Sequence, residues 1–352
     1  MIDMKWLTTI LILTIILIAG CTETKENSLT EKCYNFCSGS VLNYNGAYIE
    51  GECRYSKINC NYGCSSEGCE QPRWVGLEIT DFQSDQTEIF GGRMNRIIMV
   101  VNNKGGYKVP QNKALIYLTG SAVSTEEDNK TYWTMTDGQF RTFEKDMNPY
   151  DPVRDLPSDE KALTWFLSAP IIKSGITRTD LLIGRIFYEY STILAGTFWV
   201  YSENEADREV SAGNLLKMSS WAITEGPVVI EVKIIKDPIV SLNSENSFSF
   251  SIKISNAGGG VPYKSGSVNY VENNATLKAE DFNRINIAVD SPGMTISGCT
   301  GDKELPGGKN LELTCDAEIE SPPKTFQSYP IKITASYGYF TERSMSIIVK
   351  GV

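Results

Sequence analysis

The pattern that most constrains this chain is one it carries twice. Residues 100–110 read VVNNKGGYKVP and residues 253–262 read KISNAGGGVP. Each passes from an apolar, strand-like run into Asn, then Gly-Gly, then Val-Pro. Glycine reaches positive φ without steric cost, and Asn can bond its own backbone, so both stretches let a strand leave its sheet sharply. A shift of 153 residues aligns more of the chain: VGLEITDF at 75–82 falls on VVIEVKII at 228–235 with no gap over 32 positions. Asn95, Ile97, Met99 and Val101 then fall on Phe248, Phe250, Ile252 and Ile254. Two later anchors keep the order. LPSDEKALTWFLSAP at 156–170 matches LPGGKNLELTC at 305–315, and RIFYEY at 185–190 matches KITASY at 332–337, the offset drifting to about 147. Three colinear anchors predict a duplicated domain; the alternative is chance similarity between unrelated β-domains.

Each copy reads as all-β. SFSFSIKIS at 247–255 alternates, with Phe248, Phe250, Ile252 and Ile254 on one face, and ALTWFLS does the same with Leu163, Trp165 and Leu167. That is the pattern of a strand with one face buried. Gly, Pro and Asn clusters punctuate the strands, and no βαβ rhythm is present, so the expected fold is mainly β: two tandem β-sandwiches. The order of strand, N-x-G-G turn, long middle, Leu-Pro strand and Tyr-rich hairpin resembles the immunoglobulin-like modules of the CARDB type, over residues 74–200 and 226–352. The resemblance implies spacing, adhesion or assembly rather than catalysis. The first copy departs from it by insertions at 120–152 and 201–225, where function is most reasonably sought. One short helix is expected within SENEADREVSAGNLLKMSSW.

The N-terminus carries Lys5, an apolar run from Trp6 to Gly20, and then Cys21. The run is too short for a bilayer, which takes about 20 residues, and suits a signal peptide. Ile18-Ala19-Gly20-Cys21 is similar to the lipobox of prokaryotic surface lipoproteins, a likeness that implies a lipid on Cys21 and cleavage before it. An uncleaved anchor is the alternative. Either way the remainder is expected outside the cytoplasm.

The other eight cysteines divide into six (Cys33, Cys37, Cys53, Cys60, Cys64, Cys69) and two (Cys299, Cys315). Even local counts predict disulfides in an oxidising compartment, with zinc the rival for CYNFC and CNYGC. Six cysteines allow 15 pairings. CNYGCSSEGC resembles the cysteine turns of epidermal-growth-factor-type modules. A segment this small needs its bridges to fold. The expected layout is a signal peptide at 1–20, a lipidated linker at 21–30, a cysteine-rich module at 31–72, a first sandwich at 73–225 and a second at 226–352.

The sequence has no histidine, which removes Ser-His-Asp and Cys-His catalysis and imidazole metal sites. A net charge of −10 makes nucleic acid a poor partner. Acidic stretches hold Glu126, Glu127 and Asp128, and Asp151, Asp155, Asp159 and Glu160. Asp151, Asp155 and Asp159 are the candidates for Ca2+, although neither stretch has the spacing of a tight calcium loop and a solvated surface explains both. No other cofactor is expected. Asn129 and Asn274 head N-glycosylation sequons. The functional expectation is a lipid-anchored, non-catalytic binding or scaffold protein outside the cell membrane, with a protein or polysaccharide partner. The alternatives are a subunit of a surface filament or envelope lattice, and a carboxylate-dependent hydrolase acting on polysaccharide.

Overall fold

The computed structural model describes residues 33–38, 41–49, 52–59, 64–65, 68–69, 75–120, 123–124, 131–135, 138–241, 246–269 and 277–352. Two compact units divide the chain, Met1–Pro72 and Arg73–Val352.

In the first unit, β1 (Phe36–Ser38), β2 (Val41–Ile49) and β3 (Glu52–Asn59) form an antiparallel sheet. A small hairpin follows, β4 (Cys64–Ser65) and β5 (Gly68–Cys69), with Cys64 opposite Cys69. A disulfide joins Cys33, ahead of β1, to Cys53 on β3. Phe36 and Tyr55 pack edge to face at 5.0 Å. Cys21 and Cys60 lie outside the described residues, as do the side chains of Cys37, Cys64 and Cys69.

The second unit runs through β6 (Leu77–Ser84), β7 (Glu88–Phe90), β8 (Met94–Asn103), β9 (Ala114–Gly120), β10 (Val123–Ser124), β11 (Trp133–Met135), β12 (Phe140–Arg141), β13 (Glu160–Ser168) and β14 (Thr177–Ser202). Helix α1 (Glu203–Ser211) and β15 (Ser220–Ile223) lead to the second half. That half holds β16 (Val228–Ile234), β17 (Ile239–Ser241), β18 (Ser247–Asn256), β19 (Val261–Tyr263), β20 (Arg284–Asp290), β21 (Met294–Ser297), β22 (Gly301–Glu304), β23 (Asn310–Ile319) and β24 (Phe326–Lys350). The expected mainly-β sandwich fold is the one found.

The layers are arranged around two very long strands. β14 and β24 pair antiparallel from Thr177↔Lys350 to Tyr201↔Phe326, the centre of a ten-stranded sheet. Two smaller sheets pack on one face of it, with orders β10-β11-β13-β8-β6 and β16-β18-β23-β21. Alternation explains why one face serves both. Leu182, Ile186, Tyr188, Tyr190, Leu194, Phe198 and Val200 of β14 point inward, as do Tyr329, Ile331, Ile333, Tyr337, Tyr339, Ile347 and Val349 of β24. They join Ile97, Met99 and Val101, and Phe250, Ile252 and Ile254, in one continuous core. The N-terminal half of β14 and the C-terminal half of β24 floor the first sandwich; the other two halves floor the second. The sequence boundary at 225/226 therefore separates chain segments, while each long strand serves both sandwiches.

The duplication is visible in the pairing, with a corrected register. Met99 faces Leu163 as Ile252 faces Leu313, so the 153-residue offset holds in β8 and β18. It does not hold in the preceding strand. Leu77 faces Asn103 as Val228 faces Asn256, an offset of 151 that falls to 150 after a bulge between Ile79 and Asp81. The final anchor is also displaced. Tyr190 stands over Gly105 as Tyr339 stands over Gly258, which makes Tyr190 the counterpart of Tyr339, and Tyr188 that of Tyr337, at an offset of 149. A two-residue slip leaves an alternating pattern unchanged, so the sequence alone cannot detect it.

Candidate binding surface

The repeated Asn-x-Gly-Gly stretches meet at the centre of the two long strands. Tyr188, Tyr190, Tyr337 and Tyr339 form a closed ring of four side chains with neighbouring centroids 5.8–6.2 Å apart, all buried. Tyr190 Oη accepts from the Tyr107 amide at 3.0 Å and donates to the Glu225 carbonyl at 3.0 Å. In the second sandwich, Tyr339 Oη accepts from the Gly260 amide at 2.9 Å and donates to Asn256 Oδ1 at 2.9 Å. Asn103 and Asn256 each donate from Nδ2 to the carbonyl four residues on, Tyr107 and Gly260. The first glycine of each pair is required by packing: a Cβ on Gly105 or Gly258 would fall inside the hydroxyl of Tyr190 or Tyr339. Burial raises the phenol pKa of all four tyrosines, Tyr339 to about 12, with the neighbouring Tyr339, Tyr190 and Tyr337 adding to the rise at Tyr188. This cluster is structural; it locks the 224–228 connection to both halves of the sheet.

The residues singled out from the sequence separate into three groups. Asn129 and Asn274 lie outside the described residues, with Glu126, Glu127 and Asp128. Cys299 and Cys315 form the expected disulfide, buried in the second sandwich. The position facing the same core layer in the first sandwich is Trp165, fully buried, with Nε1 donating to the Gln139 carbonyl at 3.0 Å. The calcium candidates do not converge. Asp151 accepts from the Val153 and Arg154 amides and pairs with the Arg154 guanidinium at 2.6 Å. Asp155 accepts from Tyr150 Oη, and Asp159 from Asn148. Among the described residues no three carboxylates or cysteines gather as metal ligands would.

A groove of about 260 Å3 between 143–147 and 159–161 holds Glu144, Asp146, Asp159 and Glu160. Each acid already has a local donor: Lys161 at 3.5 Å from Glu144, Lys108 at 2.9 Å from Asp146, Asn148 on Asp159 and Asn102 at 3.3 Å from Glu160. The Lys108 hydrogen bond holds Asp146 below the usual carboxylate range. The 120–152 insertion is anchored beneath by Trp133, whose Nε1 donates to the buried Asp180 at 2.8 Å.

The 201–225 insertion builds a different kind of surface. Helix α1 follows β14 directly and is drawn in by Glu205, buried and paired with Arg208 at 2.6 Å. The chain beyond it is pinned twice. The Lys217 amide donates to Tyr201 Oη at 2.8 Å, and the Ser219 amide and hydroxyl donate to Asp237. Lys217 Nζ stands 4.3 Å over the Trp199 ring and 5.3 Å over Phe326, while Tyr201 stacks on Phe326 at 5.5 Å. Leu215, 98% exposed, and Met218, at 62%, stand on this loop, with Val210, also 62% exposed, in the last turn of α1 and the half-exposed Phe326 under Lys217. Such apolar exposure on an anchored segment, capped by an aromatic-lysine stack, is chemistry suited to contact with an apolar or aromatic partner surface. The sequence marked the insertion as a place to look; only folding brings Phe326, over 100 residues later, beside it.

No family model matches the chain, and no curated protein matches it. Among solved structures it is similar to alpha-2-macroglobulins of Salmonella and E. coli, at 9% and 10% identity and a TM-score of 0.21 for both. Those likenesses cover 89% and 88% of this chain but 21% and 19% of the macroglobulins, so the chain spans about a fifth of their length. It is also similar to the Enterococcus faecalis MSCRAMM ACE, at 10% identity and a TM-score of 0.14, over 78% of this chain and 95% of that one. At these scores the likenesses say nothing of this chain's activity. The disulfides Cys33–Cys53 and Cys299–Cys315 are those of a protein that folds in an oxidising, extracytoplasmic compartment.

Proposed function

We propose that this chain is a lipid-anchored, non-catalytic binding or scaffold protein on the outer face of a cell membrane, tethered through Cys21 in the manner of prokaryotic surface lipoproteins. The apolar tip of the 201–225 insertion carries the binding half of this reading, because Leu215, Met218 and Val210 are exposed on a segment pinned at Lys217 and Ser219 and enter no core cluster of the described residues. The partner is a protein or polysaccharide of the cell surface. The lipobox and the disulfides support the anchored, extracytoplasmic half. The CARDB-type likeness, with its implication of spacing and assembly, fits two sandwiches fused on one sheet. The hydrolase alternative is less favoured, because the groove acids are each occupied by local donors.

Mass spectrometry of the native, non-reduced protein tests the anchor. A lipid mass on Cys21, release into the medium for Cys21→Ala, and four disulfides are expected. An unmodified Cys21 rejects the anchor. The tip is tested by binding of the intact protein to whole cells or envelope fractions: Leu215→Glu with Met218→Glu should cut retention at least tenfold, and unchanged retention rejects it.

A further inference from the structure

The edges of the two small sheets are not equivalent, and the difference points to a partner. In the first sandwich the edge strand β6 is broken by its bulge, and Arg343 Nη1 donates to its outward carbonyls, Ile79 at 3.1 Å and Thr80 at 2.8 Å. Its charged residues, Glu78 and Asp81, have the same sign. Bulges and charges of this kind keep an edge from pairing with another chain.

The counterpart β16 has no bulge, its outward groups are bonded by side chains only at Val228, and its charges, Glu231 and Lys233, are of opposite sign. It is regular from Val228 to Ile234 and pairs with β18 alone. Its outward groups are identified by parity. The Asn256 amide donates to the Lys309 carbonyl, so that residue of β18 faces β23, and its register partner Val228 faces away from β18. Val228 confirms this by bonding Tyr337 Oη through its amide and Thr192 Oγ1 through its carbonyl. Antiparallel strands alternate every second residue, so Ile230, Val232 and Ile234 also aim amide and carbonyl outward. Among the described residues none of these three has an outward hydrogen bond. Ile235, just past the strand, is 89% exposed.

The sequence V-I-E-V-K-I-I at 229–235 is moreover self-complementary about Val232. Laid antiparallel on itself, it sets Val232 against Val232, Ile230 against Ile234, and Val229 against Ile235. Glu231 then lies opposite Lys233, and Lys233 opposite Glu231. The bonded pairs would be 232 with 232 and 230 with 234, which are the residues whose backbone groups point out. The Glu-Lys pairs fall at the non-bonded positions, where side chains approach most closely. Glu231 is already flanked by Lys253 at 3.3 Å on its other side, so the signs alternate across the row.

We propose that β16 is a homodimerisation edge: two copies of this chain pair antiparallel through residues 229–235 about a two-fold axis at Val232, joining their four-stranded sheets into one of eight strands. A two-fold contact of this kind is closed, so it yields dimers and not fibres. Neither the Cys21 lipid nor the 210–218 tip takes part, so the inference stands apart from the function proposed above.

The test is sedimentation velocity of the full, oxidised chain purified in detergent. The unaltered protein should be dimeric at micromolar concentration. Glu231→Lys and Lys233→Glu each place like charges opposite one another at both symmetric positions, and each should weaken the dimer at least tenfold. Mixed together they regain two Glu-Lys pairs and should form a heterodimer. Val232→Pro removes an outward amide that β18 does not use, and should give a monomer with an unchanged β-sheet circular dichroism spectrum. A monomeric unaltered protein would overturn the proposal. So would single charge variants that dimerise undiminished, or a mixture that stays monomeric.

Discussion

The two sandwiches carry the same strands in the same order but hold their cores by different means. At the layer where the second sandwich has the Cys299–Cys315 bridge, the first has Trp165. One spends covalent chemistry and small side chains; the other fills the space with an indole whose N–H must then find a partner, and finds the Gln139 carbonyl. The comparison teaches that a duplicated sheet layout tolerates exchange of its central fastener, provided the strands around it keep their inward faces. It extends to the edges, where β6 is bulged and guarded and β16 is neither, and to the insertions, which only the first repeat carries.

The strongest way to break the comparison is to remove each fastener. Trp165→Ala should cost about 3–5 kcal/mol by chemical denaturation, and Cys299→Ala with Cys315→Ala about 3 kcal/mol. Because β14 and β24 run through both sandwiches, each change should move one shared unfolding transition of residues 73–352. Two separate transitions, one insensitive to each change, would show that the sandwiches unfold independently. The glycines come next. Gly105→Ala and Gly258→Ala should each cost about 3 kcal/mol through overpacking against Tyr190 or Tyr339. Adding Tyr190→Phe to Gly105→Ala should recover part of the loss, since the hydroxyl is what the new methyl meets; strictly additive losses would contradict this.

Alkaline pH tests the ring they share. An unfolded tyrosine ionises near pH 10, whereas Tyr339 is held neutral to about 12. The contribution is complete below pH 10 and is lost as the pH rises toward 12, about 3 kcal/mol for Tyr339 alone. Stability measured by urea titration should be flat below pH 9.5 to 10 on this account and fall steeply above it. A flat profile to pH 11.5 would place the phenols in solvent, contrary to their burial. The smallest effect sharpens the contrast between insertions: Lys217→Ala should cost about 1 kcal/mol or less, being a partly exposed cation over two rings. Its larger consequence is expected in binding, measured by retention on envelope fractions.

Much of this architecture could be read from residues alone. The alternation of Phe248, Phe250, Ile252 and Ile254 identified a strand and its buried face, with Phe248 only partly covered and the other three interior. Pairing of Cys299 with Cys315 followed from their isolation from the N-terminal cluster. The three aspartates at 151, 155 and 159 show the opposite case. Their proximity in sequence suggested an ion, yet Asp151 and Asp155 bond residues two to five positions away and Asp159 accepts from Asn148. The binding tip was half legible: the insertion stood out by length, but nothing near Lys217 in the sequence announces Phe326.

What the sequence determined by itself was periodicity and chemistry: which segments are strands, which side of each is greasy, where glycine interrupts, and which cysteines can pair. Those properties are local, set by side chains a few residues apart. Register, the sharing of β14 and β24 between both sandwiches, and the meeting of four tyrosines over two glycines were decided only by the tertiary structure. A period of two is blind to a slip of two, and it is the fit of Tyr190 over Gly105 and Tyr339 over Gly258 that removes the ambiguity.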